Sequence, residues 1–171
     1  MTRKIMFLAS IFMLLISCQN KQPERFKTAS TEIDLLKKGL KDYENADWEE
    51  WSKQYADSAK IYQNTWHEGA SVEEVKNRHI ELISSLESYS FVKKDLTMEQ
   101  IIDDKGQTWV NFWGIWKGTF KANSKEIFIP VHLTIQFKDG KVIEEFGFWD
   151  TAGLKEELNK IEYAMKNDAT E

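Results

Sequence analysis

The chain has 171 residues, a net charge of −5, and seven Trp, ten Phe and five Tyr. A domain of this size buries roughly 70% of its unfolded surface, and the aromatic content is ample for such a core. The acidic balance gives no electrostatic grip on nucleic acid, and the single cysteine excludes an intrachain disulfide.

The first eighteen residues speak to location. Arg3 and Lys4 precede the uncharged run Ile5 to Ile16, and Leu15-Ile16-Ser17-Cys18 closes it. A charged start, a short apolar core and a small residue before the cut make a secretory signal, too short for a stable membrane span. The Leu-x-Ser-Cys ending resembles the lipobox of bacterial lipoproteins. That resemblance implies removal of residues 1–17, acylation of Cys18 by fatty acids such as palmitate, and a bacterial envelope protein facing the periplasm or the outside. An ordinary secretory signal with an incidental cysteine is the alternative. Loss of Arg3 and Lys4 takes the mature charge to −7, so the membrane is engaged through the anchor, where each buried methylene is worth about 0.8 kcal/mol. Residues 18–29 are polar, include Pro23 and read as a tether.

The remainder, residues 30–168, reads as one domain. Ile33, Leu36, Leu40 and Tyr43 form one stripe of an amphipathic helix. Asp47 opens a short second helix, with Glu50 completing a capping box and Trp48, Trp51 and Tyr55 on its apolar face. Ser58 to Asn64 reads as a first strand. Ser71-Val-Glu-Glu74 is a second capping box, starting a helix with the stripe Val72, Val75, His79, Leu82 and Leu86. The period then switches to two. Strands are predicted over Tyr89 to Ile102, Thr108 to Phe120, Ile127 to Lys138 and Lys141 to Asp150, with turns at Asp104-Lys105-Gly106 and Asp139-Gly140. A closing helix follows from about Ala152 to Met165. Helices first and an antiparallel meander afterwards make an α+β layout.

That order, with Asn45-Ala46-Asp47-Trp48, Tyr55-Ala56-Asp57, Phe137-Lys138-Asp139-Gly140-Lys141-Val142 and Asp150-Thr-Ala-Gly-Leu154, resembles the nuclear transport factor 2-like superfamily, its SnoaL-like branch in particular, over residues 30 to 165. The resemblance implies a cone: a strongly curved antiparallel sheet wrapped around N-terminal helices, a C-terminal helix, and one pocket. It implies no single activity, because the superfamily holds isomerases, cyclases and domains that only bind. Its steroid isomerase branch needs a carboxylate base at about Gln63 and an Asp at about Leu133, and neither is present. The three His, at 67, 79 and 132, have no ligand spacing, so neither a metal nor a cofactor is expected.

The polyketide cyclase branch would place a general acid/base at Asp150, with His132 on the neighbouring strand. If Lys138-Asp139-Gly140 is a three-residue loop, His132 lies opposite Phe146 and shares a face with Phe148 and Asp150; if the loop is Asp139-Gly140 alone, it shares a face with Glu145 and Trp149. The first register is favoured. Asp150 reads equally well as a helix cap. His79 is either a pocket base or a core imidazole bonded to a carbonyl. Glu145 is either a pocket acid of raised pKa or a solvated edge residue. In the strand 108–120, Trp109, Asn111 and Trp113 alternate with Phe112 and Trp116, so both faces carry aromatics. One face would line a pocket with Tyr43, Trp66, Glu145 and Trp149. The other would support a homodimer through the sheet or pack under the closing helix. The reading favoured is an anchored, non-catalytic domain that binds a small apolar or aromatic molecule. A SnoaL-like lyase, isomerase or cyclase using Asp150 with His132 or His79, and a protein-interaction module, are the alternatives.

Overall fold

The computed structural model describes residues 24–168. The signal segment 1–17 and Cys18 lie outside the described residues. The chain runs β1 (Phe26–Lys27), α1 (Thr31–Glu44), α2 (Trp48–Ser52), β2 (Tyr55–Gln63), α3 (Val72–Ser84), β3 (Leu86–Phe91), a 3₁₀ turn (Lys93–Asp95), β4 (Thr97–Ile102), β5 (Thr108–Phe120), β6 (Glu126–Lys138), β7 (Lys141–Trp149) and α4 (Ala152–Asp168). The layout is α+β, with one curved, unclosed sheet of seven strands.

Local chemistry accounts for the helix starts. Ser30 accepts from the Ile33 amide at the head of α1. Asp47 accepts from the Glu50 amide and caps α2. At α3 the full reciprocal capping box forms between Ser71 and Glu74. Ile33, Leu36 and Tyr43 of α1 and Val75 of α3 are buried against the sheet.

The sheet runs β1-β4-β5-β6-β7-β2, with β3 on the same edge of β5 as β4. Three features depart from the sequence reading. The stretch Tyr89 to Ile102 is not one strand: β3 and β4 flank the 3₁₀ turn and pair with opposite halves of β5. The sheet is mixed, because β2 pairs parallel with β7, as Tyr62 with Phe146 and Gln63 with Gly147. And the tether ends early. Phe26 and Lys27 pair with Ile101 and Gln100 as an edge strand, and the Arg25 guanidinium donates to the Ile102 carbonyl at 2.8 Å.

The last hairpin settles which residues face inward. Its loop is the two-residue Asp139-Gly140, with φ of 51° and 74° as a type I′ turn requires, and not the favoured three-residue loop. Lys138 pairs with Lys141 and Phe137 with Val142. A bulge at Ile143 then shifts the register, so that Ile135 pairs with Glu145 and His132 with Phe148. The bulge restores the face assignment expected from the longer loop by a different route. His132, Phe146 and Phe148 share the outer face. Ile129, Val131, Leu133, Ile135 and Phe137 face inward with Glu145 and Trp149.

On β5 the inner face reads Val110, Phe112, Gly114, Trp116, Gly118, Phe120, all buried. The Phe112 ring lies where a Gly114 Cβ would be, 2.4 Å from its Cζ, and the Trp116 ring covers Gly118 in the same way. Two glycines let two large rings lie flat on a sheet that is bending around them.

Candidate functional site

The helices do not fill the inner face of the sheet. A cavity of about 130 Å³ remains, partly open to solvent. Tyr43 reaches it from α1, Trp51 from α2, Tyr55 from β2, His79 and Leu82 from α3, Trp116 from β5, Val131, Leu133, Ile135 and Phe137 from β6, Glu145 and Trp149 from β7, and Leu154 from α4. An apolar cavity of about 150 Å³ holds benzene, so the space suits a molecule of that order. Neither Lys nor Arg is among its lining side chains.

Its polar groups are few and specific. The Tyr55 hydroxyl donates to Glu145 Oε2 at 2.7 Å. Both residues are half-buried by area, and they line the partly open cavity. Desolvation holds the Glu145 carboxyl above its usual range, and the Tyr55 hydrogen bond offsets part of this. The Tyr55 hydroxyl is pushed well above its own usual value by the same burial and by the adjacent carboxylate. Glu145 Oε1 has no hydrogen-bond partner among the described residues.

His79 sits in an aromatic box, stacked on Trp48 at 6.2 Å and edge-on to Tyr43 at 5.2 Å and to Trp51 at 6.0 Å. Burial, with a smaller contribution from the Arg78 charge, lowers its pKa from 6.5 to about 4, so it is neutral at pH 7. Its ring nitrogens have no hydrogen-bond partner among the described residues. Tyr43 is fixed at both ends. Its hydroxyl accepts from Trp116 Nε1 at 3.1 Å, and its carbonyl accepts from the Tyr89 hydroxyl at 3.0 Å.

Of the residues singled out from the sequence, Tyr43, His79, Glu145 and Trp149 come together in the cavity. The rest do not. Trp109, Asn111 and Trp113 project from the outer face of β5, opposite in parity to the buried Phe112 and Trp116. His132 is also outside, stacked on Trp113 at 4.9 Å, with Nδ1 3.0 Å from the Phe112 carbonyl. Trp66, in the loop after β2, is 64% exposed and lies against Phe146 and Phe148 of the outer face. Asp150 is exposed, and its Oδ1 accepts from the Ala152 amide at 2.8 Å, the bond of a helix cap. Asp150 and His132 therefore do not meet in the cavity. Tyr55, Trp51, Trp116, Gln54 and Gln63 are among the lining residues that sequence reasoning missed. The alternation of Gly114 and Gly118 with large rings was the signal for the inner face of β5, and for Tyr55 no local signal existed. Among the described residues, no group of three His, Cys, Asp or Glu is placed to hold a metal ion, and no helix is long and apolar enough to cross a membrane.

This fold is shared with solved structures of a nuclear transport factor 2-like protein and of SnoaL-like polyketide cyclases. No family model and no curated protein matches the sequence, but solved structures match the fold. A candidate SnoaL-like polyketide cyclase from Shewanella denitrificans OS-217 superposes with a TM-score of 0.59 at 14% identity, covering 77% of this chain and 99% of its own. PrhC from Penicillium brasilianum NBRC 6234 gives 0.63 at 17% identity, covering 82% and 93%. A protein with a ketosteroid isomerase-like fold from Catenulispora acidiphila DSM 44928, in complex with trimethylamine, gives 0.50 at 6% identity over 67% and 83%. At these identities the likeness establishes the fold.

Proposed function

We propose that the protein is a lipid-anchored domain of the bacterial envelope that holds a small, largely apolar or aromatic molecule in its cone and does not transform it. One observation carries the reading: a cavity of about 130 Å³ walled by Tyr43, Trp51, Trp116 and Trp149, with Tyr55 and Glu145 as a polar pair. A few polar groups in an apolar concavity fix a ligand's orientation. That the Catenulispora protein of similar fold was solved in complex with trimethylamine is consistent with a small guest. Binding is favoured over acid/base chemistry by Asp150 with His132 or His79 because a catalytic base works best inside the site and with a pKa near the working pH. His79, at about 4, is far from that, and Asp150 stands outside the cavity as a cap. The test is native mass spectrometry of the purified full-length protein. A co-purifying small molecule should be lost on Trp149→Ala and kept on Trp113→Ala. Loss on both, or on neither, counts against the cavity as its seat.

The anchor belongs to the same proposal. Cys18 carries the acyl chains and holds the domain at the membrane. Labelling with an alkyne palmitate analogue should mark the wild type and leave Cys18→Ala unmarked. The outer face completes it. Trp113 is 40% exposed and Phe128 56%, and with His132, Phe148 and Trp66 they form an apolar patch suited to a second copy of the chain. Sedimentation should give a dimer that Trp113→Glu dissociates.

A further inference from the structure

Among the described residues Glu145 is the only carboxylate lining the cavity, and no Lys or Arg lines it to balance that carboxylate. Tyr55 satisfies one carboxylate oxygen. The other has no partner among the described residues. An ionised carboxylate withdrawn from water is costly unless a counter-charge and hydrogen bonds compensate it. The walls beside it point the same way. Trp51 packs on Tyr55 with ring centroids 4.8 Å apart, and Tyr43, Trp116 and Trp149 also line the space. Aromatic faces attract cations, most strongly where water is excluded.

We propose that the molecule held in the cone is an organic cation, an amine or quaternary ammonium group, with its nitrogen against the Glu145 carboxylate and its alkyl groups against the aromatic walls. This rests on the ligand-binding reading and narrows it to one chemical class. Anions are repelled by Glu145 and find no basic side chain in the lining. Neutral molecules gain the walls but leave the carboxylate without a counter-charge.

Desolvation raises the Glu145 pKa in the empty cone and a bound cation opposes that rise, so the preference for a cation should weaken as pH falls toward 4.5 and the carboxyl takes up a proton. The other titratable groups lining the cavity stay neutral near pH 7: Tyr43 from α1, Tyr55 from β2 and His79 from α3. From α2, β5, β6 and α4 only uncharged side chains reach it.

Three probes of one shape separate the possibilities: choline, 3,3-dimethylbutan-1-ol as its uncharged counterpart, and 3,3-dimethylbutanoate as the anion. Each is titrated into the full-length protein by calorimetry at pH 7 and at pH 4.5. Choline should bind at least tenfold tighter than the alcohol at pH 7, and this preference should shrink at pH 4.5. The anion should not bind. Glu145→Gln should bring choline and the alcohol to equal affinity. Equal or tighter binding of the alcohol, or a choline preference that survives Glu145→Gln, overturns the inference and leaves the ligand-binding reading standing. If Glu145→Gln does not fold, the wild-type pH dependence decides, and a choline preference that is the same at pH 7 and pH 4.5 overturns the inference. Binding of none of the three by folded protein removes the ligand-binding reading itself.

Discussion

Replacing His79 by Phe should alter how stability depends on pH, and the size of the change follows from where the imidazole sits. In the folded chain its pKa falls from 6.5 to about 4, chiefly through desolvation in the box of Tyr43, Trp48 and Trp51. A depressed folded pKa means that the stabilising contribution is fully present above 6.5 and is lost as pH falls through 4, because the unfolded chain takes up the proton first. At 1.36 kcal/mol per pKa unit the whole effect is about 3.4 kcal/mol, and about 2.5 kcal/mol of it should have gone by pH 4.5. Phe preserves an aromatic ring in the box and has nothing to titrate. Urea unfolding of both chains at pH 7.5 and pH 4.5 gives the comparison. Other titrating groups are common to both chains and cancel in the difference. The wild type should therefore lose about 2.5 kcal/mol more than His79→Phe between the two pH values. Parallel losses would refute the placement of a desolvated, unpartnered imidazole at this site.

Glu145→Gln should act in the opposite sense. A carboxyl whose folded pKa is raised contributes stability that is full below its unfolded value and lost as pH rises through the folded one. The variant should therefore gain on the wild type in denaturation midpoint from pH 4.5 upward, and a constant offset would contradict this. Tyr43→Phe removes the acceptor of the buried Trp116 indole N–H and should cost about 1–3 kcal/mol in urea unfolding, with near-ultraviolet dichroism reporting the Trp116 environment. Gly114→Ala sets a methyl 2.4 Å from the Phe112 ring and should cost about 1–3 kcal/mol by overpacking; a neutral result would mean that the β5 inner face is looser than described. Glu157, 3% exposed, accepts from Lys125 and Asn123 of the β5–β6 turn. Its replacement by Ala should free α4, seen as faster amide exchange over residues 152–168 with β5 to β7 unchanged.

Elements with strong local periodicity were legible from the residues alone. The α1 stripe, the Ser71–Glu74 box and the six-residue alternation of β6 each state their own geometry. What lay beyond reach depends on partners distant in the chain. Tyr55 follows a short helix and has an aromatic spacing that suits it, so it read as helical, while its position as the first residue of β2 is set by β7, far along the sequence. Parity on β7 turns on one inserted residue, Ile143, which no residue type announces. Trp109 and Trp113 resemble core residues as closely as Phe112 and Trp116 do, and only the intervening glycines on the inner face distinguish the two sets. The candidate site was thus half visible. Tyr43, His79, Glu145 and Trp149 could be picked as single residues, but the Tyr55–Glu145 pair could not.

The parallel pairing of β2 with β7 also sets an order of events. Tyr55 and Glu145 are 90 positions apart, so this wall of the cavity closes only when Lys141 to Trp149 are in hand, after β5 and β6 can already have paired. Closures of such span are slow, because their loop entropy is spent before the contacts reward it. Until then the inward stripe of β6, Ile129 to Phe137, has an unpaired strand edge beside it, the geometry from which chains add to one another. A polypeptide ending at Gly140 should therefore aggregate, whereas one that also carries Lys141 to Trp149 should not. The cavity is assembled last, and the chain is most exposed to misassembly just before its binding space exists.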